Sequence, residues 1–312
     1  MLISFIVPVY NGEKTIEKCI SSICEIKKKD IEIIVVNDGS TDTTQNKVEH
    51  MLLSDGRISV LNVSNGGVSN ARNQGIKNAH GKYITFVDCD DQIIPENYDN
   101  LISTVGLKDY DFITCDFNYI SQKDKSWFKR TILKAGENEC NSLYEEMTLG
   151  RLNNVWCNLY KLEIVKKNKL QFYNNMKMGE DACFNMDYID LCKSCYYYNK
   201  PVYEYSLNTE SSAMNSYKAS YLLDHILLYD RQLEFLCSHN INHGFSIDNY
   251  TISRVLGILL HAQPITLEMI RKFENSQLYD DIKNVKEISL KTKIKKIALE
   301  IIVFLYKVKL RK

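Results

Sequence analysis

Three carboxylates stand together at Asp88-Cys89-Asp90-Asp91, directly after the apolar run Lys82–Val87. Side chains alternate along a strand, which predicts Asp88 and Asp90 on one face and Cys89 on the other. Hard oxygen donors beside open space suit Mg2+ or Mn2+, cations that keep waters and share themselves with substrate phosphates. Acids crowded after a buried strand also repel one another unless a cation is present. The bland alternative is a solvated acidic turn that caps the next helix. A second acidic pair, Glu180-Asp181, follows Gly179 where a helical pattern begins. It reads either as a helix cap or as a general base facing the acids at 88–91. A helix N-terminus lowers an aspartate pKa and desolvation raises it, so the residue types leave that balance open.

Asp38 follows the run Ile31–Val36 and precedes Gly39-Ser-Thr-Asp42. It is either a turn aspartate or an acceptor for a nucleobase N–H. Asn65-Gly-Gly-Val-Ser-Asn-Ala-Arg-Asn73 opens a helix without the GxGxxG spacing of a dinucleotide site. Its Arg72 reads as a nucleotide contact or as a solvated surface residue. Cys192-Lys-Ser-Cys195 is a lone CxxC with no second pair, which argues against zinc.

These residues need a frame. Apolar runs at 2–9, 31–36, 58–63 and 82–87 alternate with helical spacing at 13–26, toward 53, and up to 79. Four strand–helix repeats predict a parallel sheet with right-handed crossovers, an α/β fold. Ligands of open α/β sheets bind beyond the carboxyl ends of the strands, so Asp38 and the acids at 88–91 share one rim. Beyond this the pattern predicts helices over 95–105, 141–149 and 180–191, and strands over 111–121, 155–160 and 196–205. Helical spacing follows over 217–237, 246–261 and 266–273, and no internal repeat is present.

Of 312 residues, 45% are hydrophobic and 25% charged, which excludes wholesale disorder. Lys+Arg and Asp+Glu number 39 each, with none of the basic excess of a nucleic-acid binder. Ten scattered cysteines and a start without a basic leader read as reduced thiols in a cytoplasmic protein. The balance hides an asymmetry: 283–312 holds ten basic residues against two acidic, leaving +8 there and −8 elsewhere. Leu290–Lys312 reads as a basic amphipathic helix, packed on a core or lying on an anionic membrane. Its apolar stretch is too short to span a bilayer.

Together, Phe5-Ile-Val-Pro-Val-Tyr-Asn11, Glu32–Asp42, Asn65–Asn73, Gly81–Asp91 and Gly179-Glu-Asp181 resemble the family 2 glycosyltransferases of bacterial surface-glycan type. The match is strong over about residues 1–95 and looser to about 215, and Trp156-Cys-Asn-Leu-Tyr160 also resembles a segment of bacterial members. The resemblance implies the GT-A fold, a Rossmann-like, mostly parallel sheet flanked by helices. It implies a catalytic domain over 1–215 and a helical C-terminal region over 216–312. It sets Pro8, Val9, Tyr10, Asn11, Asp38, Gly67, Arg72, Asp88 and Cys89 around the nucleotide, with Asp38 on the base. It makes Asp90 and Asp88 ligands of Mn2+ or Mg2+, and Asp181 the catalytic base. Trp156, Asn158 and Glu180 are the expected acceptor contacts. The expected reaction is inverting transfer of a sugar from a nucleotide-diphosphate donor, typically a UDP-sugar, to a hydroxyl of a glycan or lipid-linked acceptor. The expected place is the inner face of the plasma membrane, touched through 290–312. An inactive nucleotide-sugar-binding scaffold on the same fold is the alternative. The stretch Asn208–Asn215, where bacterial members often place a cation for the diphosphate, has none before Lys218.

Overall fold

The computed structural model describes residues 2–105, 108–121, 125–207, 217–241, 249–285 and 290–310. The chain divides into two compact units, Met1–Asn175 with Glu180–Thr209, and Met176–Gly179 with Glu210–Lys312. The expected boundary at 215/216 lies outside the described residues.

The first unit opens with β1 (Ile3–Val9), α1 (Ile16–Cys24), β2 (Ile31–Asn37), α2 (Thr44–Leu52), β3 (Ile58–Asn62), α3 (Val68–Asn78) and β4 (Tyr83–Phe86). Every residue of β1 is buried, as expected of a strand covered by helices on both faces. Ile16, Ile20 and Ile23 form the buried stripe of α1. In α3, a Cβ at Gly75 would lie 2.3 Å from Ile6 Cγ2, so glycine lets the helix approach the sheet.

The chain continues with β5 (Gln92–Ile93), α4 (Pro95–Val105), β6 (Phe112–Ile120), β7 (Lys125–Phe128), β8 (Gly136–Asn138), α5 (Asn141–Thr148), β9 (Asn158–Lys161), α6 (Leu162–Lys167), α7 (Glu180–Ile189) and β10 (Cys195–Ser206). The main sheet order is β3-β2-β1-β4-β9-β6-β10-β5, with β7 on β6 and β8 on β10. β1 to β4 pair in parallel, and so do β6 and β10. The second half adds short antiparallel pairings to this mostly parallel sheet. β9 runs antiparallel between β4 and β6, and β5, β7 and β8 add short antiparallel edges. Strands of two to four residues carry too little alternation to be read from a sequence. β9 begins at Asn158 rather than Val155 because Cys157 sits at φ 62°, a left-handed kink that ends the loop before it.

The second unit holds α8 (Ser220–Ser238), α9 (Asn249–His261), α10 (Leu267–Glu274), α11 (Gln277–Asn284) and α12 (Leu290–Lys309). Leu222, Ile252, Val255, Ile270, Phe273 and Leu299 belong to its core. Thr266 and Ser276 cap α10 and α11 by accepting the N–H groups of Met269 and Tyr279.

Candidate active site

Two loops at the carboxyl ends of β1 and β2 are stapled by reciprocal hydrogen bonds. Asn11 N–H donates to Ser40 Oγ at 3.0 Å, and Thr41 N–H returns to Asn11 Oδ1 at 2.8 Å. Gly12 N–H donates to Thr44 Oγ1 at 2.9 Å, and Thr43 N–H to Glu13 Oε2 at 3.1 Å. The short polar residues of these loops thus satisfy backbone donors that no strand or helix pairs.

Asp38 lies beside this staple and is 3% exposed. Its two oxygens accept Gly66 N–H and Gly67 N–H, each at 2.8 Å. Gly67 takes φ 85° where α3 starts, a conformation suited to glycine. A carboxylate has about four acceptor positions, so Asp38 keeps capacity for a further N–H.

The acids at 88–91 form a turn rather than a strand end, closed by Asp91 N–H on the Asp88 carbonyl at 3.0 Å. This corrects the expected alternation. Asp88, Cys89 and Asp90 all line one cavity of about 210 Å3, with Pro8, Val9, Tyr10, Asp38, Val68 and Ala71. A larger cleft of about 410 Å3 between α1 and β5 contains none of the expected site residues. Asp91 turns inward and accepts Tyr203 O–H and Ser206 N–H, each at 2.8 Å. Burial, then the charges of Asp88 and Asp90, push its carboxyl up to about 8. Burial and the same acids push the Cys89 thiol up to about 12. The Tyr203 hydroxyl also accepts Asp88 N–H at 3.1 Å, so one tyrosine of β10 fixes both ends of the turn.

Beneath the turn lies Arg72, 4% exposed. Its Nη1 donates to Asp181 Oδ1 at 2.7 Å and Glu180 Oε1 at 3.3 Å, and its Nη2 to Asp88 Oδ1 at 3.1 Å. The guanidinium rests 5.2 Å over the Phe172 ring, and Phe172 stacks on Phe184 of α7 at 4.2 Å. Asn73 holds that floor, exchanging hydrogen bonds of 2.8 and 2.9 Å with the Phe172 backbone. Burial raises the Asp181 pKa to about 7, against the lowering effect of Arg72, with Glu180 and Asp88 adding to the rise.

One guanidinium therefore faces three carboxylates, and Asp90 adds a fourth acid on the cavity. Among the described residues no cluster of three or more His, Cys, Asp or Glu is arranged around a metal position. Asp88 and Asp90 are hard oxygen donors of the type that suits a divalent cation such as Mg2+ or Mn2+.

The loop 151–157 lies beside Asp181. Val155 N–H lies 3.4 Å from Asp181 Oδ2. Arg130, 1% exposed, organises the loop from behind. It donates to the carbonyls of Arg151, Asn154 and Trp156 and to Asn158 Oδ1. Trp156 is buried and stacks on Tyr203 at 5.0 Å and Tyr205 at 5.3 Å. Asn158 is fully buried, held by Arg130, the Asn154 carbonyl and the Tyr160 hydroxyl.

The profile of Glycosyl transferase family 2 matches residues 4–172. The chain belongs to this family. This glycosyltransferase is 33% identical over 222 residues to the uncharacterized glycosyltransferase EpsJ of Bacillus subtilis (strain 168), covering 70% of this chain and 64% of EpsJ. The chain thus spans less than two thirds of that relative's length. It is 26% identical over 287 residues to the putative glycosyltransferase EpsH of the same organism, covering 91% of this chain and 81% of EpsH. Its fold is similar to that of S. aureus TarS residues 1–349 in complex with UDP, with a TM-score of 0.68 at 21% identity, covering 100% of this chain and 90% of that one. The GT-A fold expected from the motifs is the fold of this glycosyltransferase.

Of the expected residues, Pro8, Val9, Tyr10, Asp38, Asp88, Cys89 and Asp90 meet at the cavity. Asn11 belongs to the staple and Gly67 to the Asp38 contact. Arg72 is a buried bridge under Asp88, Glu180 and Asp181 instead of a cavity-lining side chain. Trp156 and Asn158 are buried. The stretch 208–215 lies outside the described residues. Arg130, Tyr203 and Phe172 were not legible as site residues, since each acts through the loop or ring it touches. Nothing in the stretch Trp127-Phe-Lys-Arg130 marks Arg130 as a site residue, since a basic pair after two aromatics reads as a solvated surface.

Proposed function

We propose that this glycosyltransferase moves one sugar from a UDP-sugar to a hydroxyl of a glycan or lipid-linked acceptor, with inversion at the anomeric carbon. The observation that supports this most is the Arg72 bridge, which joins Asp88 at the cavity to Asp181 through one guanidinium. Asp38 would accept the uracil N–H at the rim, in keeping with the UDP in the TarS structure.

Asp88 and Asp90 would hold Mn2+ or Mg2+ against the diphosphate. When bound, that cation supplies charge neutralisation for the leaving nucleotide. Asp181 takes the proton of the acceptor hydroxyl as its oxygen bonds to the anomeric carbon. The bond from that carbon to the phosphate oxygen breaks, and the electron pair leaves with UDP. A pKa near neutrality suits a base that must be ionised yet basic. Glu180 remains the most accessible of the expected acceptor contacts, its side chain 12% exposed beside Arg72. No described helix is long and apolar enough to cross a membrane. The enzyme would meet a lipid-linked acceptor at the inner membrane face through 290–312.

The test is release of UDP from candidate UDP-sugars with Mn2+, together with a thermal-shift screen of nucleotides. Transfer and metal-dependent UDP binding lost in D90N support the reading. Full activity of D90N or D181N contradicts it.

A further inference from the structure

α12 has two apolar faces, and among the described residues only one of them is packed. Leu299 and Val303 are buried in the core of the second unit, where α12 packs on α9 and α10. Tyr306 O–H donates to the Leu259 carbonyl at 2.9 Å, fixing the helix's rotation. Roughly opposite, Ile294, Ile297, Ile301, Phe304, Leu305 and Val308 are between 44% and 63% exposed. At about 100° per residue they make one stripe about 100° wide, about 21 Å long at 1.5 Å per residue. Lys293 and Lys309 border it and are exposed. Some basic residues of α12 are engaged inward: Lys307 pairs with Glu274 at 2.9 Å, and Lys295 donates to Ser253 at 2.6 Å.

An exposed, continuous apolar stripe is costly in water and marks an interaction surface. We propose that this stripe is a lipid-docking surface which inserts into an anionic bilayer while the flanking lysines meet the headgroups. Charge decides the occupant. The segment 283–312 carries +8, which draws it to an anionic membrane surface and repels a second copy of itself. The apolar stripe decides between lipid and a purely polar polyanion, because only the former offers somewhere to bury six large side chains. The helix is thus anchored through Leu299 and Val303 and bound through its other side, which resolves the two readings of the segment into one. The docking stands on α12 alone; only its purpose, reaching a lipid-linked acceptor, rests on the proposed transfer.

The experiment is co-sedimentation of the full chain with vesicles of phosphatidylglycerol and phosphatidylcholine in equal parts, and with phosphatidylcholine alone. The chain should bind the anionic vesicles, and K293E/K309E should weaken binding at low salt. I297E/F304E should bind at least about tenfold more weakly, with unchanged thermal stability because both side chains are exposed. Part of the wild-type binding should persist at about 1 M salt, where charge is screened beyond roughly 3 Å. D90N should bind vesicles like wild type, which separates docking from catalysis. Equal binding by I297E/F304E, or complete release by salt, overturns the proposal. So does a dimer, seen by light scattering, that I297E/F304E abolishes.

Discussion

Replacing Arg72 by methionine keeps the contact with Phe172 and removes the charge between three carboxylates. Breaking a buried ion pair costs about 3–5 kcal/mol. Here the Asp88 side chain is 31% exposed, against 18% for Asp181 and 12% for Glu180, so solvent screens one of the three. The lower end, about 3 kcal/mol at pH 8, is therefore expected from urea denaturation. The loss should shrink below about pH 6, where protonation relieves the stranded acids. Catalysis should report the same charge. Arg72 favours ionised Asp181, so the rising limb of the pH–rate profile, expected near 7 in the wild type, should move to about 8 or higher in R72M. UDP release at pH 7 should then fall roughly fivefold or more from lost ionisation alone and recover partly toward pH 9. R72K should lie between the two, because one ammonium cannot span both groups as the guanidinium fork does. A stability change under about 0.5 kcal/mol with an unmoved profile would refute the bridging role.

Three further variants test the same contacts. D181N should lower kcat by about 10²–10⁴ while leaving UDP affinity near wild type, measured by calorimetry. The folded-state pKa of Asp181 is raised, so its contribution to stability is full below the ordinary carboxylate range and is lost as pH rises through about 7; D181N should flatten stability over that window. D90N should abolish the extra thermal stabilisation that Mn2+ adds to UDP binding, while UDP alone still binds weakly. R130K should lower kcat more than it raises KM, because Arg130 acts through the loop bearing Val155 and Trp156 and touches no substrate; a larger KM effect would contradict that role.

The first half of the fold was legible because β1 and β2 are long runs of buried apolar residues and the helix between them has clear apolar spacing. In the second half the long strands β6 and β10 and the helices α4, α5 and α7 were legible, whereas β5, β7 and β8 were not and β9 was started too early, because these four strands are two to four residues long and take their register from neighbours. At the cavity, topology alone put Asp38 and the acids at 88–91 on one rim, and Asp38, Asp88 and Asp90 line one cavity while Asp91 turns inward. The turn that brings Cys89 onto the same cavity is a backbone event that alternation cannot foresee. Arg72 was readable as polar and helix-borne, but its burial depends on Phe172 and Asp181, about a hundred residues further along the chain. Asn73, the last residue of the same motif, has its purpose there as well, as the clamp on Phe172.

The most direct measurement is anomalous diffraction from a crystal soaked with UDP and manganese. The account predicts a manganese peak held by Asp90 and Asp88 against the diphosphate, uracil N–H on Asp38, and Asp181 still on Arg72 with no metal contact. Nucleotide bound away from the β1–β4 rim, or manganese bound by Asp181 with Asp90 turned aside, would contradict it.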